Sequence, residues 1–194
     1  MPPSPINPFE YCTILISIIL GLGITQLLSA LSELLYHFKK VSFYWPQLCW
    51  VVFVLFLHIQ DWFITYQLKD KPAWHFGELL FILLYPVALF MVAKLLLPTN
   101  DKEESRDMKS YYMSQYPVLF IVMGMTIVLA ILFNSWLLSE DVGQQVHLFV
   151  FLIAMLLIAF FKIKHPLVHK LTAIAVIAAA IISLYTQAEN WVIK

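Results

Sequence analysis

Tyr11–Leu31, YCTILISIILGLGITQLLSAL, runs for 21 residues without a charge. A helix of about 20 residues is long enough to cross the ~30 Å hydrocarbon core of a bilayer. The same pattern recurs along the chain, with apolar runs over residues 9–38, 46–68, 73–97, 117–138, 143–163 and 166–185. Open sheets leave backbone groups unpaired in hydrocarbon, and the strict alternation of a membrane barrel is missing, so the runs read as helices. The expected fold class is therefore an all-α integral membrane protein, one transmembrane domain built as a bundle of six helices. Composition agrees: 61% of the 194 residues are hydrophobic and 12% charged, where soluble domains carry about 45–50% and 25%.

Cations give the bundle a direction. Lys39, Lys40, Lys94, Lys102, Arg106, Lys109, Lys162, Lys164 and Lys170 fall on one side of the runs, leaving Lys69, Lys71 and Lys194 for the other. The positive-inside rule then places the connections 1/2, 3/4 and 5/6 in the cytoplasm and both termini outside. The opening MPPSPINPFEY has neither a cationic flank nor a small-residue cleavage site, so the first run is expected to be retained in the membrane.

Several function classes are set aside. Formal net charge is zero and no zinc-finger, RNP or helix-turn-helix pattern occurs, so nucleic acid is not an expected partner. Cys12 and Cys49 stand near opposite ends of neighbouring antiparallel runs, too far apart for a disulfide. No Walker loop, nucleophile elbow or nucleotide motif is present, and no cofactor is expected.

Punctuation refines the spans. Pro46, Pro117 and Pro166 suit helix starts, and Pro86 predicts a kink inside the third run. The charged connection 98–110 is expected in the cytoplasm. Met108, Tyr111, Tyr112 and Tyr116 share a helical face after it, which predicts a short helix on the membrane surface before the fourth span begins.

Within the first run, Glu10, Ser17, Gly21, Thr25, Ser29 and Ser32 project onto one sector about 120° wide. Small and hydroxyl side chains allow close helix approach and hydrogen bonds between helices, so this stripe is expected to face the bundle interior. Gln26 lies just beyond it. Ala175, Ala179 and Ser183 form a similar row in the sixth run.

The second run carries HIQDWF. His58 and Asp61 are i, i+3, and Thr65 extends the same face by another i+4 step. An acid in mid-span is costly and normally faces protein or water. Asp61 beside the imidazole would fix its tautomer, as a proton relay requires. Glu78, Glu10, Asn134, Glu140, Asp141, His75, His147 and Glu189 belong to the same end of the bundle, making it the region richest in ionisable groups. Plain helix-end decoration with one satisfied His58–Asp61 pair competes with a vestibule for cations or protons, and with a metal site of Asp, Glu and His, for which no HExxH or comparable close spacing occurs.

At the opposite end, Glu33 and His37 are i, i+4, as are His165 and His169 of HPLVH. These four are the metal-ligand candidates. Their ExxxH and HxxxH spacings resemble those of membrane hydrolases of the haemolysin III and ceramidase group. The chain departs from that group in having six runs rather than seven, and in placing HxxxH within a basic connection.

SIILGLGITQLLSAL, followed by a Trp-bearing second run, resembles a set of uncharacterised bacterial inner-membrane proteins. The likeness covers the first two runs and implies a bacterial inner (plasma) membrane location; it implies no activity and no site residues. The expected function is a channel- or transporter-like role for a small cation or protons, in a homo-oligomer, with His58, Asp61, Thr65, Glu78, Glu10 and Gln26 as relay candidates. Two alternatives stand beside it: a membrane scaffold docking a cytoplasmic protein through 98–110, and a metal-dependent membrane hydrolase.

Overall fold

In the computed structural model, which describes residues 8–71, 73–98 and 107–187, helices dominate. In chain order they are α1 (Pro8–Tyr36), α2 (Trp45–Tyr66), α3 (Phe76–Leu96), α4 (Met108–Trp136), α5 (Val146–Phe160) and α6 (Pro166–Gln187). All six are long and apolar enough to cross a membrane, α5 with the 3₁₀ turn Val142–Gln145 that leads into it. The protein is a multi-pass integral membrane protein. Large apolar side chains such as Ile14, Leu22, Ile59, Leu84, Val150 and Ile181 stay exposed on the bundle's outer surface, as contact with lipid tails requires.

Two clusters of buried side chains mark the two ends. One unites Phe9, Ile16 and Leu20 of α1, Ile82 and Leu89 of α3, and Phe133 of α4. The other unites Leu27 and Leu34 of α1, Trp50 and Val54 of α2, Leu96 of α3, Tyr116 and Phe120 of α4, and Val176 of α6. The N-terminal parts of α1 and α3 thus meet the C-terminal part of α4, as antiparallel succession demands. By their flanking charges the first is the acidic end and the second the basic end. Within this bundle α2 packs on α1, α3, α4 and α6, whereas α5 leans on α4.

Three local features depart from the expectations. The fourth helix does not begin at Pro117 after a separate surface helix. It runs unbroken from Met108, with Pro117 inside it. Asp107 caps its start, its carboxylate accepting from the backbone N–H of Lys109 and Ser110 at 3.0 and 3.2 Å. Met108, Tyr112 and Tyr116 are buried, so their common face serves the core rather than the headgroup layer. Residues 99–106 of the charged connection, with Glu189, Trp191 and Lys194, lie outside the described residues.

The second departure is the face of α1. Its buried positions are Phe9, Cys12, Ile16, Leu20, Gly23, Leu27, Ala30 and Leu34, a heptad-like seam. Glu10, Gly21, Thr25, Ser29 and Ser32 are exposed, and Ser17 and Gln26 are half-buried. The stripe therefore faces away from the bundle. The Thr25 hydroxyl needs no neighbour, because it donates to the carbonyl of Gly21 at 2.7 Å, one turn back. Bulky seam residues offer the dispersion contacts that hold helices together in lipid.

Third, the glycine that matters is Gly23, not Gly21. A methyl group on Gly23 would collide with the imidazole of His58, whereas nothing lies near Gly21. Overpacking costs about 1–3 kcal/mol, more than the roughly 1 kcal/mol that alanine gains over glycine in a helix. Gly23→Ala is expected to lower the thermal midpoint in nanodiscs, while Gly77→Ala, with open space at its Cβ, does not lower it. Adding His58→Ala to Gly23→Ala is expected to recover part of the loss. Additive losses in that double variant would disprove the contact.

Candidate functional site: a cavity at the acidic end

The inward face of α2 carries His58, Asp61 and Thr65, all buried. Their neighbours differ. His58 turns toward α1, where Gly23 leaves room for its ring. Its Nδ1 lies 2.7 Å from the Val54 carbonyl, so Nδ1–H donates there and Nε2 is left buried without a partner. The imidazole is oriented by its own helix backbone, not by Asp61.

Asp61 instead forms part of the wall of a cavity between α2, α3, α4, α5 and α6, about 280 Å³ in volume. Gln60, Asn134, Glu140, Gln145 and His147 share that wall with it. Asp61 is 7% exposed and its Oδ2 has no hydrogen-bond partner. Gln145 is 1% exposed; its Nε2 donates to Ser135 at 3.0 Å while its Oε1 is likewise unpartnered. The described ion pairs do not reach Asp61: they join Lys71 to Glu78 at 2.7 Å and His37 to Glu33 at 3.2 Å. A buried carboxylate without a counter-charge calls for a proton or a cation.

A second chamber continues from the first. It is about 130 Å³ and is walled by Phe53, Phe56, Met123, Ile127, Phe151 and Met155. The two share Leu57, Gln60, Tyr85, Ala130, His147, Leu148 and Ser183. Gln60 Nε2 donates to Ser183 Oγ at 3.2 Å, tying α2 to α6 at their junction. Ala179 and Ser183 of the small-residue row in α6 thus border an opening rather than a tight helix contact.

The other sequence candidates are placed elsewhere. Glu78 accepts from the backbone N–H of His75 at 3.0 Å, capping α3, and pairs with Lys71. Glu10 lies in a shallow groove with Thr13, Ser17, Trp62 and Tyr66. At the basic end the four metal candidates do not converge. Glu33 and His37 form their pair at the surface, His165 is exposed, and His169 is fully buried. His169 contacts the Tyr112 hydroxyl at 3.2 Å and the Ile163 carbonyl at 2.9 Å, inside an aromatic cluster with Tyr116 and Phe120. Among the described residues no three His, Cys, Asp or Glu side chains are placed to hold a metal ion.

Sequence reasoning missed the glutamines. Gln60 stands next to Asp61 and was open to the same argument about polar groups in a span. Gln145 sits in a polar turn, and nothing in its surroundings marks it as buried. Gln47, whose Nε2 donates to the Leu96 carbonyl at 2.6 Å, follows Pro46 at the start of an apolar run and also goes unmarked.

Since Asp61 gains no hydrogen bond at Oδ2, replacing it by an apolar side chain of similar size removes an unmet polar group, worth about 1–3 kcal/mol. Asp61→Leu is expected to raise the thermal midpoint of the protein in nanodiscs. A clear drop would mean that the carboxylate holds the fold together. No protein-family model, curated protein or solved structure matches the chain, so the reading of this cavity rests on its own geometry.

Proposed function

We propose that this protein is a small carrier of the bacterial plasma membrane that takes up a cation from the outer side, with Asp61 as the receiving group. The observation that supports this most is a carboxylate 7% exposed, unpartnered at Oδ2, on the wall of a cavity at the acidic end. The sidedness follows from the positive-inside rule: Lys39, Lys40, Lys162 and Lys164 at the basic end favour the cytoplasm. Glu140 near the cavity adds negative potential that concentrates cations at its walls. In this reading His58 orients α1 against α2 and stands outside the path. At the basic end, tightly packed Trp50, Tyr112, Tyr116 and Phe120 fill the bundle and would have to move for release to the cytoplasm.

Uptake into proteoliposomes, followed for protons, sodium, potassium and methylammonium, tests the role of Asp61. Asp61→Asn is expected to cut uptake of the transported species at least about tenfold, the loss of one buried charge contact. Unchanged uptake in that variant removes Asp61 from the mechanism.

The oligomeric part of the reading has separate support. Gly21, Thr25, Ser29 and Ser32 are exposed on α1, and small side chains directed to the membrane permit close approach of another helix. A second copy is the proposed neighbour. Particle mass in nanodiscs is expected to be a multiple of 22.5 kDa, falling to the single-chain value in Gly21→Phe. A wild-type mass equal to one chain would refute this assembly.

A further inference from the structure

We infer that the cavity at Asp61 takes an amphipathic organic ammonium, with its N–H donors at Asp61 and Gln145 and a benzene-sized apolar group in the adjoining chamber. The inference rests on the Asp61 reading and adds the substrate class.

The donors come first. Two residues that line the cavity carry buried unpartnered atoms, Asp61 Oδ2 and Gln145 Oε1, and both atoms are acceptors. A ligand that satisfies them must donate, and the carboxylate favours a donor with positive charge. A bare metal ion would want a tighter set of ligands, and no group of three His, Cys, Asp or Glu side chains occurs among the described residues. An ammonium with two or three N–H bonds carries enough donors for both acceptors.

The adjoining chamber sets the other half of the ligand. Its volume, about 130 Å³, is close to the roughly 150 Å³ of an apolar cavity known to accept benzene. Phe53, Phe56 and Phe151 give ring faces and edges, and Met123 and Met155 give polarisable sulfur. Those walls suit an aromatic ring or a compact branched alkyl group. The chamber's polar residues are Thr126, whose hydroxyl donates to the Met123 carbonyl, and those shared with the first chamber, so it offers a hydrated inorganic cation few partners. The chamber also lies between two helix pairs, α5 on α4 and α6 on α2, with half-buried Ala179 on one wall.

The test uses the full chain in phospholipid nanodiscs and titration calorimetry with methylammonium, 2-phenylethylammonium and 2-phenylethanol. Burying a phenyl group is expected to make 2-phenylethylammonium bind about tenfold to hundredfold tighter than methylammonium. The neutral alcohol is expected to bind more weakly than its ammonium counterpart, and Asp61→Asn to erase that difference. Ala179→Phe, which fills the chamber, is expected to bring 2-phenylethylammonium down to the methylammonium level. Because the ligand ratio is read on the unaltered chain, it decides the matter even if that variant does not fold. Equal, Asp61-dependent affinity for the two ammonium ions would overturn the amphipathic substrate and leave the cation reading standing. Absence of Asp61-dependent binding of either would overturn both.

Discussion

An acyl chain neither donates nor accepts a hydrogen bond, so polar atoms at membrane depth must be satisfied by the protein itself or by what it binds. In this chain most are met locally. Backbone groups are met within helices, Thr25 by the carbonyl of Gly21, His58 Nδ1 by that of Val54, and Gln47 Nε2 by that of Leu96. Against this background Asp61 Oδ2 and Gln145 Oε1 stand out, because both are buried, both are unmet, and both border the same cavity.

The two ends of the bundle handle polarity in contrasting ways. At the basic end the Tyr44 and Tyr116 hydroxyls are also buried without partners, but they sit among rings: Tyr44 lies 5.4 Å from Tyr112, and Tyr116 lies 4.6 Å from His169, centroid to centroid. That end is dense, with Trp50, Tyr116 and Phe120 fully enclosed. At the acidic end α5 and α6 rest on different helices and space remains between them. The bundle thus keeps cavities toward its acidic end and is filled with aromatics at the other.

Much of this was legible in the sequence, and the failures have physical causes. Span count and chemistry at depth came from hydropathy and from Asp61, because an acid in a span is expensive enough to be informative. The rotation of α1 was misjudged because hydroxyl residues were taken to need neighbours, while Thr25 bonds to its own helix. Its true seam, through Cys12, Gly23 and Ala30, looks apolar in every direction on paper. The start of α4 was misplaced because Pro117 suggested a first turn; Asp107, a sounder cap, was the better signal. The His58–Asp61 spacing put both on one face, yet the separation of about 60° around α2 between i and i+3 is enough to aim one at α1 and the other at the cavity.

The tie between Gln60 and Ser183 spans 123 residues of sequence. At a synthesis rate of about 5–20 residues per second, α2 waits roughly 6–25 s before α6 is made. For that interval the edge bearing Gln60 and Asp61 has no final helix to cover it. The insertion machinery, or transient water in its lateral opening, must shelter that edge during biogenesis, and a chain stalled before α6 would leave a polar flank that membrane quality-control proteases can recognise.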